Sequence, residues 1–146
     1  MIVDTSAIIA ILRDEPDADQ YVTALAEADE AVISAGTYLE TAIVVDANRD
    51  PVLSGRLDDL LAVTRIRIEP VTERHTEIAR QAYQQFGKAS GHPASLNFGD
   101  CFAYALARSS ATPLLYKGDD FSQTDITAAS DAMGQDRPPP LPRSAP

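Results

Sequence analysis

The sequence predicts an α/β fold, a three-layer domain in which helices flank a mainly parallel central sheet of four to five short strands. Two observations support this prediction. Short apolar runs of strand length alternate along the chain with longer segments whose apolar residues recur at helical spacing, and such alternation is typical of parallel sheets. The length of 146 residues fits one such domain and leaves no room for two.

The first half of the chain divides into two strands and four helices. Apolar residues at helical spacing, from Ile8 to Leu12, follow a first short strand, and Pro16 suits the first turn of a second helix. Asp50 and Pro51 mark a turn between later helices. We therefore expect strands at 2–4 and 31–34, and helices at 5–13, 16–28, 37–47 and 52–63.

The second half repeats the pattern and ends in a proline-rich stretch. Gly87 ends a long helical pattern, and a glycine, a proline and two serines after it indicate a loop. Five prolines in 137–146 predict that the domain covers 1–132 and that 133–146 is a disordered tail. The expected elements are strands at 65–69 and 113–116, helices at 72–86 and 99–109, a loop at 88–98, a turn-rich segment at 117–125 and a last short edge strand at 126–129.

The net charge of −10 excludes a protein that simply coats nucleic acid, because phosphate neutralisation normally requires a basic surface. It indicates a basic partner or a pocket of carboxylates that needs cations. Cys101 is the single cysteine and cannot form an internal disulfide, which suits a reducing cytoplasm. Neither a secretory signal nor a run of ~20 apolar residues is found. We expect a soluble, cytoplasmic protein with no membrane contact.

Acidic residues stand where an open α/β sheet binds ligands, outside the carboxyl ends of its strands. Asp4 closes the first strand. It can serve as a helix N-cap, but Thr5 and Ser6 can cap equally well, so its carboxylate is open to another role. Either hydroxyl is also a candidate for orienting a carboxylate or a metal-bound water.

Glu40 has two interpretations that its spacing leaves open. Residues 37–40 match a capping box, in which Glu40 reaches back to the backbone of Thr37. If Ser34 is the N-cap instead, Glu40 lies a turn and a half into the helix. It would then share a face with apolar residues such as Ile43 and Val44, where an unpaired carboxylate is costly.

Asp100 opens a helix whose following residues carry no other charge as far as Ala107. The macrodipole favours an acid there, but so apolar a helix is buried on most sides, and Asn97 can supply the cap. Asp119 and Asp120 follow the fourth strand, where glycine and paired acids are also ordinary turn residues. Each acid alone fits a structural role, and it is their coincidence at these junctions that predicts a site.

The chemistry of such a site is narrowed by the residue types that the sequence offers. Acids at 14–19 and 58–59 are typical of solvated helix termini and faces. There is no phosphate-binding glycine loop, no nucleophile elbow and no histidine–cysteine grouping for zinc. Converging carboxylates repel one another without a cation, and Mg²⁺ and Mn²⁺ prefer carboxylate and water oxygens.

Four stretches of the chain stand out together: the opening Ile-Val-Asp-Thr-Ser-Ala, the mid-chain Glu40, the helix Gly-Asp-Cys-Phe-Ala-Tyr-Ala-Leu-Ala and the segment Leu-Leu-Tyr-Lys-Gly-Asp-Asp-Phe. With them the chain resembles a PIN domain over about 1–129, and more narrowly a VapC-type toxin of a bacterial toxin–antitoxin pair. The resemblance implies a Mg²⁺- or Mn²⁺-dependent endoribonuclease. Its catalytic metal ligands would be Asp4, Glu40 and Asp100.

The fourth ligand departs from the family's pattern. Family members often carry Thr/Ser-x-Asp-x-Asp-Phe after the fourth strand, and here Gly118 stands where the first acid is usual. The resemblance then implies Asp119 as the fourth catalytic and metal-binding acid, with Asp120 as the alternative, acting through a water.

The resemblance also implies partners. These are a VapB-type antitoxin that inserts a basic or aromatic peptide, a second copy of the chain in a homodimer, and an RNA substrate. Single-stranded or loop RNA suits a small pocket better than a stiff duplex, and tRNA is one candidate. Among the few cations, Lys117 is nearest the predicted site.

Two other classes of protein stay open at this point. A phosphoryl-transfer or receiver-like α/β protein needs a second acid beside Asp4, where Thr5 and Ser6 stand. A catalytically weak acidic binding module is favoured by the glycine at position 118.

Overall fold

A computed structural model describes residues 1–130, and the tail predicted at 133–146 lies outside them. Its sheet has four parallel strands in the order β3-β2-β1-β4. The strands are β1 (Ile2–Val3), β2 (Val32–Ser34), β3 (Arg67–Glu69) and β4 (Leu114–Leu115). The predicted α/β class and parallel sheet are confirmed.

Six α-helices within residues 1–130 surround this sheet. They are α1 (Thr5–Leu12), α2 (Ala18–Glu27), α3 (Ala35–Asp46), α4 (Pro51–Thr64), α5 (Glu73–Phe86) and α6 (Asp100–Ser110), with short 3₁₀ turns at Lys88–Ser90 and Phe121–Gln123. None of these helices is long and apolar enough to cross a membrane.

Strands β1, β2 and β4 bury both of their faces, which produces the three predicted layers, whereas the edge strand β3 is largely exposed. Because successive strand residues point to opposite sides, Ile2 packs into a core with α5 and α6. Val3 and Ile33 pack on the other side into a core formed with α1 to α4. Both faces are therefore covered, as is usual for a parallel sheet.

Three predicted boundaries were wrong, each for a local reason. Helix α3 begins at Ala35 because Ser34 caps it, accepting a hydrogen bond from the Gly36 N–H at 3.3 Å. Helix α2 begins at Ala18, so Pro16 lies in the preceding turn. The edge strand expected at 126–129 is reduced to one parallel bridge between Leu114 and Ala128, because the backbone turns into helix at 129–130.

The strand order places β1 between β2 and β4. The chain leaves the carboxyl end of β1 toward β2, whereas it leaves the carboxyl end of β4 toward the opposite side of the sheet. Ligands of open α/β sheets bind at such a switch point. Asp4 follows β1 directly, and the segment 116–120 follows β4. The Asp4 N–H donates to the Leu115 carbonyl at 2.9 Å, which joins these two chain segments at the same edge of the sheet.

Candidate active site

Asp4 is a buried N-cap, so the structural and functional interpretations of this residue coincide. Its Oδ2 accepts hydrogen bonds from the Ser6 N–H at 2.9 Å and from the Ser6 hydroxyl at 2.6 Å. The Ser6 Oγ in turn accepts from the Lys117 N–H at 2.9 Å. Burial raises the pKa of Asp4, with the Ser6 hydrogen bonds opposing and the charge of Glu40 adding to the shift. Ser6 therefore orients a carboxylate, as predicted.

Glu40 lies in the middle of α3 and is oriented by Thr5. Since Ser34 is the cap, the capping box between Thr37 and Glu40 does not form, which resolves the alternative left open by the sequence. The Thr5 hydroxyl donates to Glu40 Oε2 at 2.8 Å and lies 3.0 Å from the Thr41 hydroxyl. Glu40 is half-buried, and Ile43 on the same helix is 59% exposed. The Glu40 carboxylate therefore does not lie in a buried apolar face of α3.

Gly99 brings Glu40 against the start of α6. A Cβ added at Gly99 would lie 1.9 Å from Glu40 Oε1 and 2.2 Å from its Cδ. The carboxylate therefore occupies the space that a side chain at this position would fill. Because Gly99 directly precedes Asp100, this contact brings an acid of α3 next to the acid that opens α6. Spacing along the chain gave no signal for it.

Asp100 is buried and exchanges hydrogen bonds with Asn97. The Asn97 N–H donates to Asp100 Oδ2 at 2.7 Å, and the Asp100 N–H donates to Asn97 Oδ1 at 3.0 Å. Burial, followed by the charges of Asp4, Asp120 and Glu40, raises the pKa of Asp100 to about 7. Four acids from separate parts of the chain are thus close enough to act on one another electrostatically.

The segment after β4 explains the missing family acid. Gly118 has φ +96°, a conformation that residues with a Cβ rarely adopt, so glycine suits the turn and an aspartate would be strained there. Asp119 and Asp120 are both exposed. It is Asp120 whose charge raises the pKa of Asp100, whereas the Asp119 backbone carbonyl accepts a hydrogen bond from the Ser122 hydroxyl at 2.6 Å.

We expected the side chains at positions 4, 40 and 100 to converge on one cation, and in this respect the geometry differs. Within residues 1–130, no three His, Cys, Asp or Glu side chains are arranged to hold one ion as they stand. The physical reason is that carboxylates repel one another, and each of the three is held by its own neutral donor: Ser6 for Asp4, Thr5 for Glu40 and the Asn97 backbone for Asp100.

The donor set nevertheless fits a hard divalent cation. None of the ion pairs within residues 1–130 includes Asp4, Glu40 or Asp100, and buried carboxylates without a cationic partner are costly. Mg²⁺ commonly binds one or two carboxylates and keeps several waters, so a preassembled three-ligand cage is not required.

The Thr37 hydroxyl, on α3, is buried without a hydrogen-bond partner in the described part of the chain.

Lys117, the cation expected nearest the site, has its side chain engaged elsewhere. Its Nζ donates to Glu15 Oε2 at 2.5 Å and to Asp17 Oδ1 at 2.6 Å. These two contacts, Asp17 first, raise the pKa of Lys117 above its ordinary value. The backbone of Lys117 supports Ser6, while its charge neutralises acids in the turn between α1 and α2. Sequence reasoning had treated those acids as merely solvated.

A parallel α/β sheet with buried acids at the carboxyl end of its central strand is the arrangement of a PIN domain, and the PIN domain family model matches residues 1–126. Ribonuclease VapC28 of Mycobacterium tuberculosis is 58% identical over 131 residues, which cover 90% of this chain and 98% of that protein. Ribonuclease VapC42 of the same species is 43% identical over 129 residues, covering 88% of this chain and 98% of that protein. The chain belongs to the VapC ribonuclease family of toxin–antitoxin systems.

Solved structures agree with this fold. The VapC20 toxin of Mycobacterium tuberculosis, described as cleaving the sarcin–ricin loop, has a TM-score of 0.66 at 18% identity and covers 86% of this chain and 95% of its own. FitAcB from Neisseria gonorrhoeae has a TM-score of 0.66 at 21% identity, with 87% and 94% covered. Family membership excludes the receiver-like alternative.

Proposed function

We propose that the chain is the toxin of a toxin–antitoxin pair and a Mg²⁺- or Mn²⁺-dependent endoribonuclease. Asp4, Glu40 and Asp100 hold the ion, and Asp120 completes the set more directly than Asp119, the acid expected from the sequence to take over from Gly118. The observation that carries this proposal is the contact between the Glu40 carboxylate and Gly99, which directly precedes Asp100. Repulsion among these acids adds to the effect of burial on the pKa of Asp100. A bound cation would remove that repulsion.

The protein's own residues contribute position and charge. Ser6, Thr5 and Asn97 fix the three carboxylates, so that little reorganisation is needed when a cation and a phosphate arrive. When bound, the ion would activate water and offset charge on the phosphodiester under attack. The Asp120 carboxylate is exposed, and its charge acts on Asp100.

The substrate is proposed to be single-stranded or loop RNA, with tRNA one candidate. A small acidic site requires a splayed strand, and a relative of the same fold is described as cleaving an RNA loop. We also propose a VapB-type antitoxin as the partner, since a solved structure of this fold is described as a toxin–antitoxin complex. The net charge of −10 is complementary to a basic antitoxin segment.

A homodimer is part of the same proposal. Helices α3 and α4 expose several large apolar side chains, namely Leu39, Ile43, Val52 and Val63. Large apolar side chains exposed on neighbouring helices are candidates for a protein–protein interface.

The test is cleavage of end-labelled RNA by the purified chain with Mg²⁺ or Mn²⁺ and with EDTA. Asp4→Asn and Asp100→Asn keep the shape of each side chain and remove its charge, and each should slow cleavage by at least about 100-fold. Asp19→Asn, in the exposed first turn of α2, is the matched control and should cleave like the wild type. Equal cleavage by all four proteins would indicate a contaminating nuclease, and no cleavage by any would favour the non-catalytic binding module.

A further inference from the structure

A cavity of about 460 Å³ lies between α5 and α6, directly beside the acids. Its volume is within the ~300–1,000 Å³ range of small-molecule sites. Six of the residues around it carry the argument, and they are Arg80, Tyr83, Lys88, Asn97, Phe98 and Phe102. The metal-binding proposal uses none of these side chains except that of Asn97.

Three aromatic rings form the apolar part of this cavity. Phe98 is 78% exposed, an unusual position for so apolar a ring. It meets Phe102 edge to face with the ring centroids 5.0 Å apart. Phe102 is itself fixed against α3, because a Cβ added at Gly36 would lie 2.5 Å from its ring. The platform under Phe98 is therefore preformed, and the outer ring is available to a ligand.

The rim of the cavity is cationic in a strongly acidic protein. Arg80 and Lys88 are both exposed, and within residues 1–130 neither side chain forms an ion pair or a hydrogen bond. Within residues 1–130, five of the other eight arginines and lysines form ion pairs; Arg74, for example, pairs with Glu77 on the same helix at 3.1 Å. Two free positive charges beside aromatic rings are complementary to a phosphate that is linked to a planar base.

The cavity and the acids share one short segment of chain. Asn97 lines the cavity and exchanges hydrogen bonds with Asp100. Phe98 directly precedes Gly99, whose Cα lies against the Glu40 carboxylate. A group bound on Phe98 would therefore lie close to Glu40 and Asp100, because Phe98 is separated from Asp100 only by Gly99.

We propose that this cavity binds an unpaired nucleobase of the RNA substrate next to the phosphodiester that is cleaved. The base stacks on Phe98, and Arg80 and Lys88 contact the neighbouring phosphates. A base in a duplex cannot reach the cavity, so the subsite selects single-stranded or loop RNA. A basic antitoxin segment is a worse occupant, because Arg80 and Lys88 would repel it. The inference rests on the proposed ribonuclease function.

Steady-state cleavage kinetics test the subsite. Stacking on one aromatic ring contributes ~1–3 kcal/mol per base, so Phe98→Ala should raise KM by at least about fivefold while kcat stays within about threefold. Phe98→Tyr should restore KM. The double variant Arg80→Ala/Lys88→Ala should also raise KM and flatten its dependence on salt. Val22→Ala and Arg74→Ala, an exposed apolar residue of α2 and a cation of α5 that does not line the cavity, are the matched controls.

A second measurement reads the cavity without cleavage. The chain contains no tryptophan, so Phe98→Trp introduces a single tryptophan at the subsite, and excitation at long wavelength separates its fluorescence from that of the five tyrosines. In EDTA, oligouridylate and oligoadenylate should quench it, whereas inorganic polyphosphate, which has no base, should not.

The outcomes separate the two proposals. If the wild type does not cleave RNA, the ribonuclease proposal fails, and the Phe98→Trp titration still reports on base binding. If the wild type cleaves RNA and Phe98→Ala has an unchanged KM, the subsite is wrong. Equal quenching by polyphosphate, or loss of antitoxin-peptide binding by Phe98→Ala with normal RNA kinetics, would also overturn it.

Discussion

The hydroxyl of Thr5 donates to the carboxylate of Glu40 across a separation of 35 residues in the chain. The first residue of α1 thereby sets the position of an acid in the middle of α3. The same hydroxyl lies 3.0 Å from that of Thr41 and 3.4 Å from the Thr37 carbonyl. Helices α1 and α3 are therefore joined by a small polar network beside the site.

Removing the Thr5 hydroxyl should weaken metal binding more than folding. Thr5→Val keeps the side-chain shape but removes the donor to Glu40, and loss of such a supporting hydrogen bond typically costs about 10–100-fold in metal affinity or activity. The measurement is the Mn²⁺ concentration that gives half-maximal RNA cleavage. Thr5→Ser keeps the hydroxyl and should remain near the wild type. A normal Mn²⁺ requirement in Thr5→Val would show that Glu40 needs no such support.

Adding one methyl group at Gly99 should disrupt the site. The new Cβ of Gly99→Ala would lie 1.9 Å from Glu40 Oε1, so the carboxylate or the start of α6 must move. We expect cleavage to fall by at least about tenfold, since small displacements of catalytic groups are costly.

The matched control is Gly55→Ala in α4, where an added Cβ meets nothing within 4 Å. Alanine at a helical position should stabilise the protein by about 0.5–1 kcal/mol without affecting cleavage. Normal cleavage by Gly99→Ala, with the melting temperature unchanged, would contradict the close packing of Glu40 on α6.

The stability of the metal-free protein should fall with rising pH because of Asp100. Its pKa is about 7 in the folded protein against 3.8 for an ordinary aspartate, so the folded state binds the proton more tightly than the unfolded state does. This contribution to stability is complete below pH 3.8 and is lost as the pH rises through about 7.

Thermal unfolding in EDTA measures this effect. The melting temperature of Asp100→Asn, which can keep the bond from the Asn97 N–H, should rise relative to that of the wild type between about pH 4 and pH 7. Millimolar Mg²⁺ should reverse the loss at the alkaline end in the wild type only. Parallel pH profiles for the two proteins would show that the pKa of Asp100 is not raised in the folded protein.

Asp120 and Asp119 should differ as substitution sites. Because the charge of Asp120 acts on Asp100, Asp120→Asn should lower RNA cleavage at limiting Mn²⁺ by about tenfold or more. Asp119→Asn changes the same charge on the neighbouring residue and should have a smaller effect. The reverse order would return the fourth position to Asp119, the acid expected from the sequence to replace the one missing at Gly118.

Much of the fold could be predicted because it depends on local patterns. Apolar runs and helical spacing gave the parallel sheet and all six helices, and polar hydroxyls beside Asp4 indicated that a carboxylate would be oriented there. The errors at Pro16 and at 126–129 arose where the next element decides the boundary. The start of α3 shows the same limit. The sequence is compatible with an N-cap at Ser34 or at Thr37, and the structure shows that Ser34 caps the helix while Glu40 bonds to Thr5.

The site could be predicted only in outline. Sequence placed acids at the right junctions, but the contact of Glu40 with Gly99 and the Lys117 bridge to Glu15 and Asp17 depend on the tertiary arrangement of residues up to about 100 positions apart. Within residues 1–130 the acids do not form a ready-made three-ligand group, because each carboxylate is held by its own hydrogen-bond donor. The exposed Phe98 gave no periodic signal because it lies in a loop.

The central place of β1 in the sheet bears on how such a chain is made. Asp4 and β4 lie far apart in the chain, yet the Asp4 N–H bonds to the carbonyl of Leu115, and β1 has β4 as one of its two neighbours. The strand that carries the first acid therefore has no complete binding groove until nearly the whole domain has been translated. We expect a chain that ends before β4 to lack this arrangement of Asp4.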